Sequence, residues 1–194
     1  MEFLLQWLNH LDVQLFRTLN FTFTNRYFDF LMPVLTDKHN WLVPGGIIAV
    51  LLIWRGGSTG RVLALLLIPT LILSDQLSSA VLKPLVGRLR PCKTLDMFRL
   101  LIHCGGRYGF PSGHATNTAA AAFLLTVYFK RWRPLALFIV LMVGYSRVYV
   151  GVHYPLDVAA GFVLGVLCAG AVLIVYNRYV AKKLPERFRL PPTS

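Results

Sequence analysis

Three short polar blocks hold residues whose types and spacing could do chemistry: Lys83-x6-Arg90-Pro91, Pro111-Ser112-Gly113-His114 and Ser146-Arg147-x5-His153-x3-Asp157. Together they supply cations, two imidazoles and a carboxylate. That set suits covalent phosphoryl transfer. Cations bind the phosphate oxygens, one histidine attacks phosphorus, a carboxylate orients it, and the second histidine protonates the leaving oxygen. Arg90 and Arg147 offer guanidinium forks that grip phosphate in bidentate fashion, and Lys83 adds a point charge. Ser112 is a natural N-cap, Gly113 lets the backbone approach a ligand, and the free N–H groups of that helix start favour an anion. His114 beside a bound phosphate can act as the acid. Asp157 falls in the first turn of a helix opened by Pro155, where a carboxylate is favourable in any case. It can also accept from one nitrogen of His153 and leave the other free to attack. Taken singly, Lys83 and Arg147 are better explained by snorkelling from helix ends to lipid headgroups. The three blocks together outweigh that explanation.

The elements that must position these blocks are apolar runs. Of the 194 residues, 56% are hydrophobic and 14% charged, whereas a soluble domain carries about 25% charged residues. Runs over 41–54, 62–86, 112–129, 134–150 and 155–179 approach the roughly 20 apolar residues that cross a bilayer. Residues 3–24 instead mix polar side chains with Leu4, Leu5, Leu8, Leu11 and Leu15 at helical spacing. They read as an amphipathic helix in the membrane interface with Trp7 as anchor, or as an extra helix packed on the bundle. The fold class expected is all-α: a polytopic membrane helical bundle with five to six transmembrane helices and an amphipathic N-terminal helix. One membrane-embedded domain accounts for residues 1–194, with 1–40 as the amphipathic helix and a connector.

Alternating spans bring all three blocks to one membrane face. Arg55, Arg61, Lys130, Arg131, Arg133, Arg178, Lys182, Lys183, Arg187 and Arg189 collect on the other, which marks it as cytoplasmic. The 87–111 loop and the 151–154 turn then face outward. Arg88, Arg90, Lys93, Arg99 and Arg107 in that loop oppose the assignment, but Arg90 has a chemical reason to be there. The net charge of +12 is carried in loops between apolar runs. Anionic headgroups and an anionic substrate explain it, and no nucleic-acid partner is expected. Met1-Glu2-Phe3-Leu4-Leu5 lacks a basic region and a cleavage site, so no removable signal peptide is expected.

Remaining features read more plainly. Arg55-Gly-Gly-Ser-Thr-Gly-Arg61 is expected to be a tight basic turn. Cys92 and Cys104 share the outer loop and either pair, if that side is oxidising, or stay as thiols; Cys168 lies deep in the last run. Asp75, inside the second run, is expected to bond neighbouring helices or help position Lys83. Gly161-x3-Gly165 is a close-packing motif. His10, His39 and His103 are expected at the surface or interface. No His, Cys or acidic pair has convincing metal-ligand spacing, so neither a metal nor a cofactor is expected.

The three blocks resemble the signature of the type-2 phosphatidic acid phosphatase family, which shares its core with vanadium haloperoxidases and bacterial acid phosphatases. The family pattern is K-x6-RP, PSGH and SR-x5-H-x3-D. This chain reads KPLVGRLRP at 83–91, PSGH at 111–114 and SRVYVGVHYPLD at 146–157. The resemblance implies a catalytic core over 60–180 and a metal-independent lipid phosphatase. It implies that His153 becomes a phosphohistidine, Asp157 holds it, and His114 is the acid. Lys83, Arg90 and Arg147, with Ser112 and Gly113, would bind the substrate phosphate and stabilise the transition state. The expected partners are membrane lipids and a lipid phosphate such as undecaprenyl diphosphate, phosphatidic acid or phosphatidylglycerophosphate. The expected place is a bacterial inner membrane with the site facing the periplasm or outside. Oligomeric state stays open. The alternatives are a phosphotransferase using the same phosphohistidine, a non-catalytic phospholipid binder or transporter, and a membrane scaffold.

Overall fold

Small residues decide how the bundle is assembled. In the computed structural model, which describes residues 2–190, α7 (Gly113–Thr126) and α9 (Pro155–Val175) form the central pair. A Cβ added to Gly161 of α9 would lie 2.7 Å from the Ser112 carbonyl and 2.9 Å from the Ala115 methyl, and one on Gly165 would meet the Thr116 carbonyl. Lipid tails are as apolar as side chains, so packing contact rather than hydrophobic burial drives such association. The Gly161-x3-Gly165 face is thus occupied within the chain.

Around this pair, α4 (Gly57–Asp75) packs on α7, with Leu63, Ala120, Leu124, Ala169 and Leu173 between them and α9. Ser74 donates to Asn117 across that seam at 2.6 Å. The helical path of α4 continues through wider π-helical turns over Gln76–Leu82 into α5 (Lys83–Val86). The expected basic turn is shorter than 55–61, because α3 (Leu42–Arg55) ends and α4 begins within two residues. On the other flank, α8 (Arg133–Tyr149) meets α7 and α9.

Residues 22–40 are more than a connector. They contain α2 (Arg26–Thr36), capped by the Asn25 side chain, which accepts from the N–H groups of Tyr27 and Phe28. Met32 of α2 packs with Tyr149, Val150 and Val152. The N-terminal helix α1 (Glu2–Phe21) packs on the bundle as an extra helix, against α8 and α9. Asp12, Phe16 and Asn20, four residues apart, are buried against the bundle, while Phe3, Leu4, Trp7, Leu8, Leu11 and Leu15 are exposed. The inward face pairs Asp12 and Asn20 with the apolar Phe16, Val13 and Leu19, while Gln6, Asn9, His10, Gln14 and Arg17 are exposed along with those leucines.

Among the described residues, two helices are long and apolar enough to cross a membrane, Gly57–Val86 and Pro155–Lys183. With 14, 14 and 17 residues, α3, α7 and α8 would each cover about 21–26 Å at 1.5 Å per residue. That is short of a hydrocarbon core about 30 Å thick. Met1 and Pro191-Pro192 lie outside the described residues.

Candidate active site

The turn that carries His153 is fixed from both sides. The N–H groups of Val152 and His153 donate to the Arg147 carbonyl at 3.2 and 3.3 Å, folding 150–154 back on the end of α8. Gly151 sits at φ +87°, where a side chain would be strained and would strike the Arg99 backbone. Pro155 then opens α9. The Tyr154 N–H donates to Asp157 Oδ2 at 3.0 Å, and the same oxygen lies 3.4 Å from His153 Nδ1. Both sequence readings of Asp157 therefore hold at once: it caps its own helix and it faces the imidazole.

The structure brings the three blocks together. Arg90 reaches His153 from the 87–111 loop, with Nη1 3.1 Å from Nε2 and 3.2 Å from the Val152 carbonyl. Arg147 leaves the last turn of α8 and donates through Nη1 to the Thr36 hydroxyl of α2. Lys83 Nζ comes within 3.6 Å of where a Gly113 Cβ would stand, and donates to the Ser79 hydroxyl at 3.2 Å. The Ser112 N–H donates to the Asp157 carbonyl at 2.9 Å, tying the start of α7 to the first turn of α9. His114 lies in the first turn of α7, near enough to Arg147, Lys83 and Arg90 to feel their charge. His153 and Asp157 are 1% and 0% exposed, and Arg90 and Arg147 are 7% exposed.

Two expectations about local chemistry need correction. Ser112 occupies the N-cap position of α7 but makes no capping bond; its buried hydroxyl has no hydrogen-bond partner. Nor do the buried Nε atoms of Arg90 and Arg147. Buried polar atoms are almost always satisfied, so three orphans in one site mark where an anion's oxygens would be welcome. Asp75 is exposed, and its carboxylate makes no hydrogen bond or ion pair among the described residues; its backbone carbonyl accepts from the Ser78 hydroxyl at 3.2 Å. It acts on Lys83 only as a distant opposite charge, and the seam it was expected to hold belongs to Ser74.

Burial, then the charges of Arg147 and Arg90, hold the His153 imidazole well below its usual titration range. The shift favours its neutral form. In the loop, burial also lowers Arg90 from the usual guanidinium range, while Asp157 works against that shift.

The motif reading missed several residues that complete this end of the bundle. Arg88 Nη1 donates to Asp157 Oδ1 at 2.8 Å, and Arg88 Nη2 donates to Asp12 Oδ2 at 2.6 Å. The Asn20 side chain donates to the Arg99 and Tyr149 carbonyls and accepts from the Arg99 N–H. Arg99 in turn pairs with both oxygens of Asp29. Only Arg88 had a readable signal. It stands two residues before Arg90 in extended chain, with Leu89 bridged to Tyr108, and alternate residues of extended chain share a face. Cys92 and Cys104 form a disulfide with Cα atoms 6.2 Å apart, and Cys168 is a buried free thiol. His10, His39 and His103 are exposed.

An all-helical, membrane-associated bundle with cations, imidazoles and a carboxylate gathered at one end defines a phosphatase class. The family model for the PAP2 superfamily matches residues 63–181, and the chain belongs to that family. It is 34% identical to a lipid A 4'-phosphatase of Bacteroides thetaiotaomicron over 84% of this chain and 75% of that one. It is 33% identical to an undecaprenyl-diphosphatase of Sulfolobus acidocaldarius over 79% of this chain and 73% of the relative. Among solved structures it resembles the first transmembrane PAP2 type phosphatidylglycerolphosphate phosphatase from Bacillus subtilis. The TM-score there is 0.65 at 26% identity, covering 89% of this chain and 87% of that one.

Proposed function

We propose that this membrane hydrolase removes the terminal phosphate of a lipid phosphate or diphosphate through a phosphohistidine on His153. The observation that carries the reading is the placement of the two ring nitrogens. Nδ1 faces Asp157 and Nε2 faces Arg90, so the nitrogen away from the carboxylate points at the cation cluster. Nε2 attacks phosphorus and the bond from phosphorus to the leaving oxygen breaks. His114 gives that oxygen its proton. Water then attacks the phosphohistidine, His114 takes the proton back, and inorganic phosphate leaves. Lys83, Arg90, Arg147, Ser112 and the N–H groups at Gly113 bind the phosphoryl oxygens and stabilise the charge that develops on them. No step is assigned to a metal.

The substrates are lipids whose phosphate sits at the membrane surface, the class to which lipid A and undecaprenyl diphosphate belong. On this reading the chain is one domain over 1–194 with five to six spans and α1 in the interface, and its site faces outward from a bacterial inner membrane. The Cys92–Cys104 disulfide in the 87–111 loop supports that side, since disulfides persist in oxidising compartments.

Phosphate release from undecaprenyl diphosphate, lipid A, phosphatidic acid and phosphatidylglycerophosphate, measured in detergent with EDTA, tests the proposal. Release that EDTA spares and His153→Ala abolishes is expected, and the rates rank the lipids. Phosphate appearing on an added lipid acceptor instead of in solution would make the enzyme a phosphotransferase. Turnover surviving in folded His153→Ala would refute the nucleophile assignment.

A further inference from the structure

Asp157 has two oxygens, and different parts of the molecule hold them. Oδ2 takes the Tyr154 N–H and faces His153, while Oδ1 takes Arg88 Nη1. Arg88 does not touch the imidazole. Its guanidinium carbon lies over the Tyr154 ring, 4.4 Å from the centroid, and its other terminal nitrogen is held by Asp12 of α1 at 2.6 Å, with Asn9 Oδ1 at 3.3 Å. Asp12 is committed as well, because its second oxygen accepts from the Leu156 N–H in the first turn of α9 at 2.9 Å. The side chains of Asp12 and Asp157 are 1% and 0% exposed, against 20% for Arg88. The family model begins at residue 63, so Asp12 lies outside the matched core.

We propose that Arg88 and Asp12 are positioning residues, through which α1 fixes the rotation and charge of Asp157 and so the aim of His153. This rests on the reading of His153 as the nucleophile. Two buried carboxylates share one guanidinium, and each also accepts a backbone N–H from α9 or from the residue before it. With Oδ1 clamped by Arg88, the Asp157 carboxylate cannot rotate, and Oδ2 stays opposite Nδ1. Without Arg88 the two carboxylates would face each other uncompensated in a dry site, and one of them would have to turn away or take up a proton. Either change loosens the imidazole. None of this alters the groups that meet the substrate phosphate, so the effect falls on kcat and not on KM. The helix that lies in the membrane interface is thereby a working part of the active site.

The test compares Arg88→Met, Asp12→Asn and their combination in purified full-length protein, with His153→Ala alongside and thermal unfolding as the control for folding. Arg88→Met is expected to lower kcat about 10–100-fold, by analogy with the loss when partners that orient metal-ligating side chains are removed, with KM within about 3-fold. Adding Asp12→Asn removes the opposing charge and keeps the bond to the Leu156 N–H, so it should recover part of the lost kcat. Arg88→Lys should retain more activity than Arg88→Met. Unchanged kcat in Arg88→Met, or a double variant worse than the single, would overturn the proposal and leave Arg88 a structural tie. If Arg88→Met does not fold, Asp12→Asn alone decides: a lower kcat at constant KM supports the relay, and wild-type kcat rejects it. Activity in His153→Ala would instead fault the nucleophile assignment, a separate failure.

Discussion

Arg90 lies across the outer nitrogen of His153, with its Nη1 3.1 Å from Nε2. A guanidinium cannot surrender a proton at working pH, so the imidazole must accept there with its lone pair. The tautomer is then settled: Nδ1 carries the proton and faces the Asp157 carboxylate. A ring so placed has its lone pair where the proposed attack on phosphorus needs it, and in that mechanism a bound phosphate has only to draw the guanidinium onto its own oxygens.

This arrangement sets a pH expectation. Burial comes first, followed by Arg147, Arg90, Lys83 and His114, in holding His153 below the ordinary imidazole range; Asp157 is the acidic group facing it. A histidine whose imidazolium is disfavoured stays neutral as the pH falls through about 6.5 and becomes charged only below that. Ring-nitrogen NMR of histidine-labelled protein in detergent, with His153→Gln to assign the resonance, should show a neutral His153 at pH 6. A midpoint at or above 6.5 would contradict the buried, cation-flanked site.

The close seam between α7 and α9 makes a prediction about packing. A methyl at Gly161 would press on the Ser112 carbonyl, 2.7 Å away, whereas one at Gly170 of the same helix would meet nothing within 4 Å. Overpacking costs about 1–3 kcal/mol, while an open glycine in a helix gains from alanine by roughly 0.5–1 kcal/mol. Gly161→Ala should therefore lower the melting temperature by several degrees and reduce turnover, because Ser112 moves with its carbonyl. Gly170→Ala should leave both unchanged or raise stability slightly. Equal behaviour of the two would argue against the seam.

How much of this was legible in the sequence depends on whether the partners were local. The Lys83, Ser112 and His153 blocks declare themselves because each packs several reactive types into a few residues beside an apolar run. The helices α4 and α9 declare themselves by unbroken apolarity. Arg88, Asp12 and Asn20 do not, since each acquires meaning only from a partner far along the chain. Asp12 in an amphipathic pattern reads as a solvated residue, yet it turns inward to Arg88. The helix α2 was hidden for a different reason: its RYFDFLMPVLT run carries Pro33 and mixed polarity, which resembles a connector. Asp75 misled in the opposite sense, as an interior carboxylate that proves to be exposed.

Cys92 and Cys104 offer a direct chemical check on the outer loop. The bond joins residues 12 apart, and closing so short a loop is worth about 3 kcal/mol in the chain-entropy account. Alkylation of unfolded protein without reductant should add one group, on Cys168; after reduction it should add three. Three without reductant would mean the loop is held open and would remove the support it gives to an oxidising side.

His114 separates chemistry from binding. In the proposed mechanism its proton matters most when the leaving oxygen is a poor one. A lipid alkoxide needs that proton, whereas a nitrophenolate leaves readily without it. General acid catalysis contributes about 10²–10⁴-fold, so His114→Gln should lose close to that range in kcat on phosphatidic acid. On p-nitrophenyl phosphate the loss should be much smaller, limited to whatever water activation His114 adds in the second step. The two substrates share the same phosphoryl site, so a defect in phosphate binding would depress both alike. Single-turnover rates of phosphoenzyme formation with each substrate measure the first step alone. An equal loss on both would place His114 among the phosphate-binding groups and leave the acid unassigned.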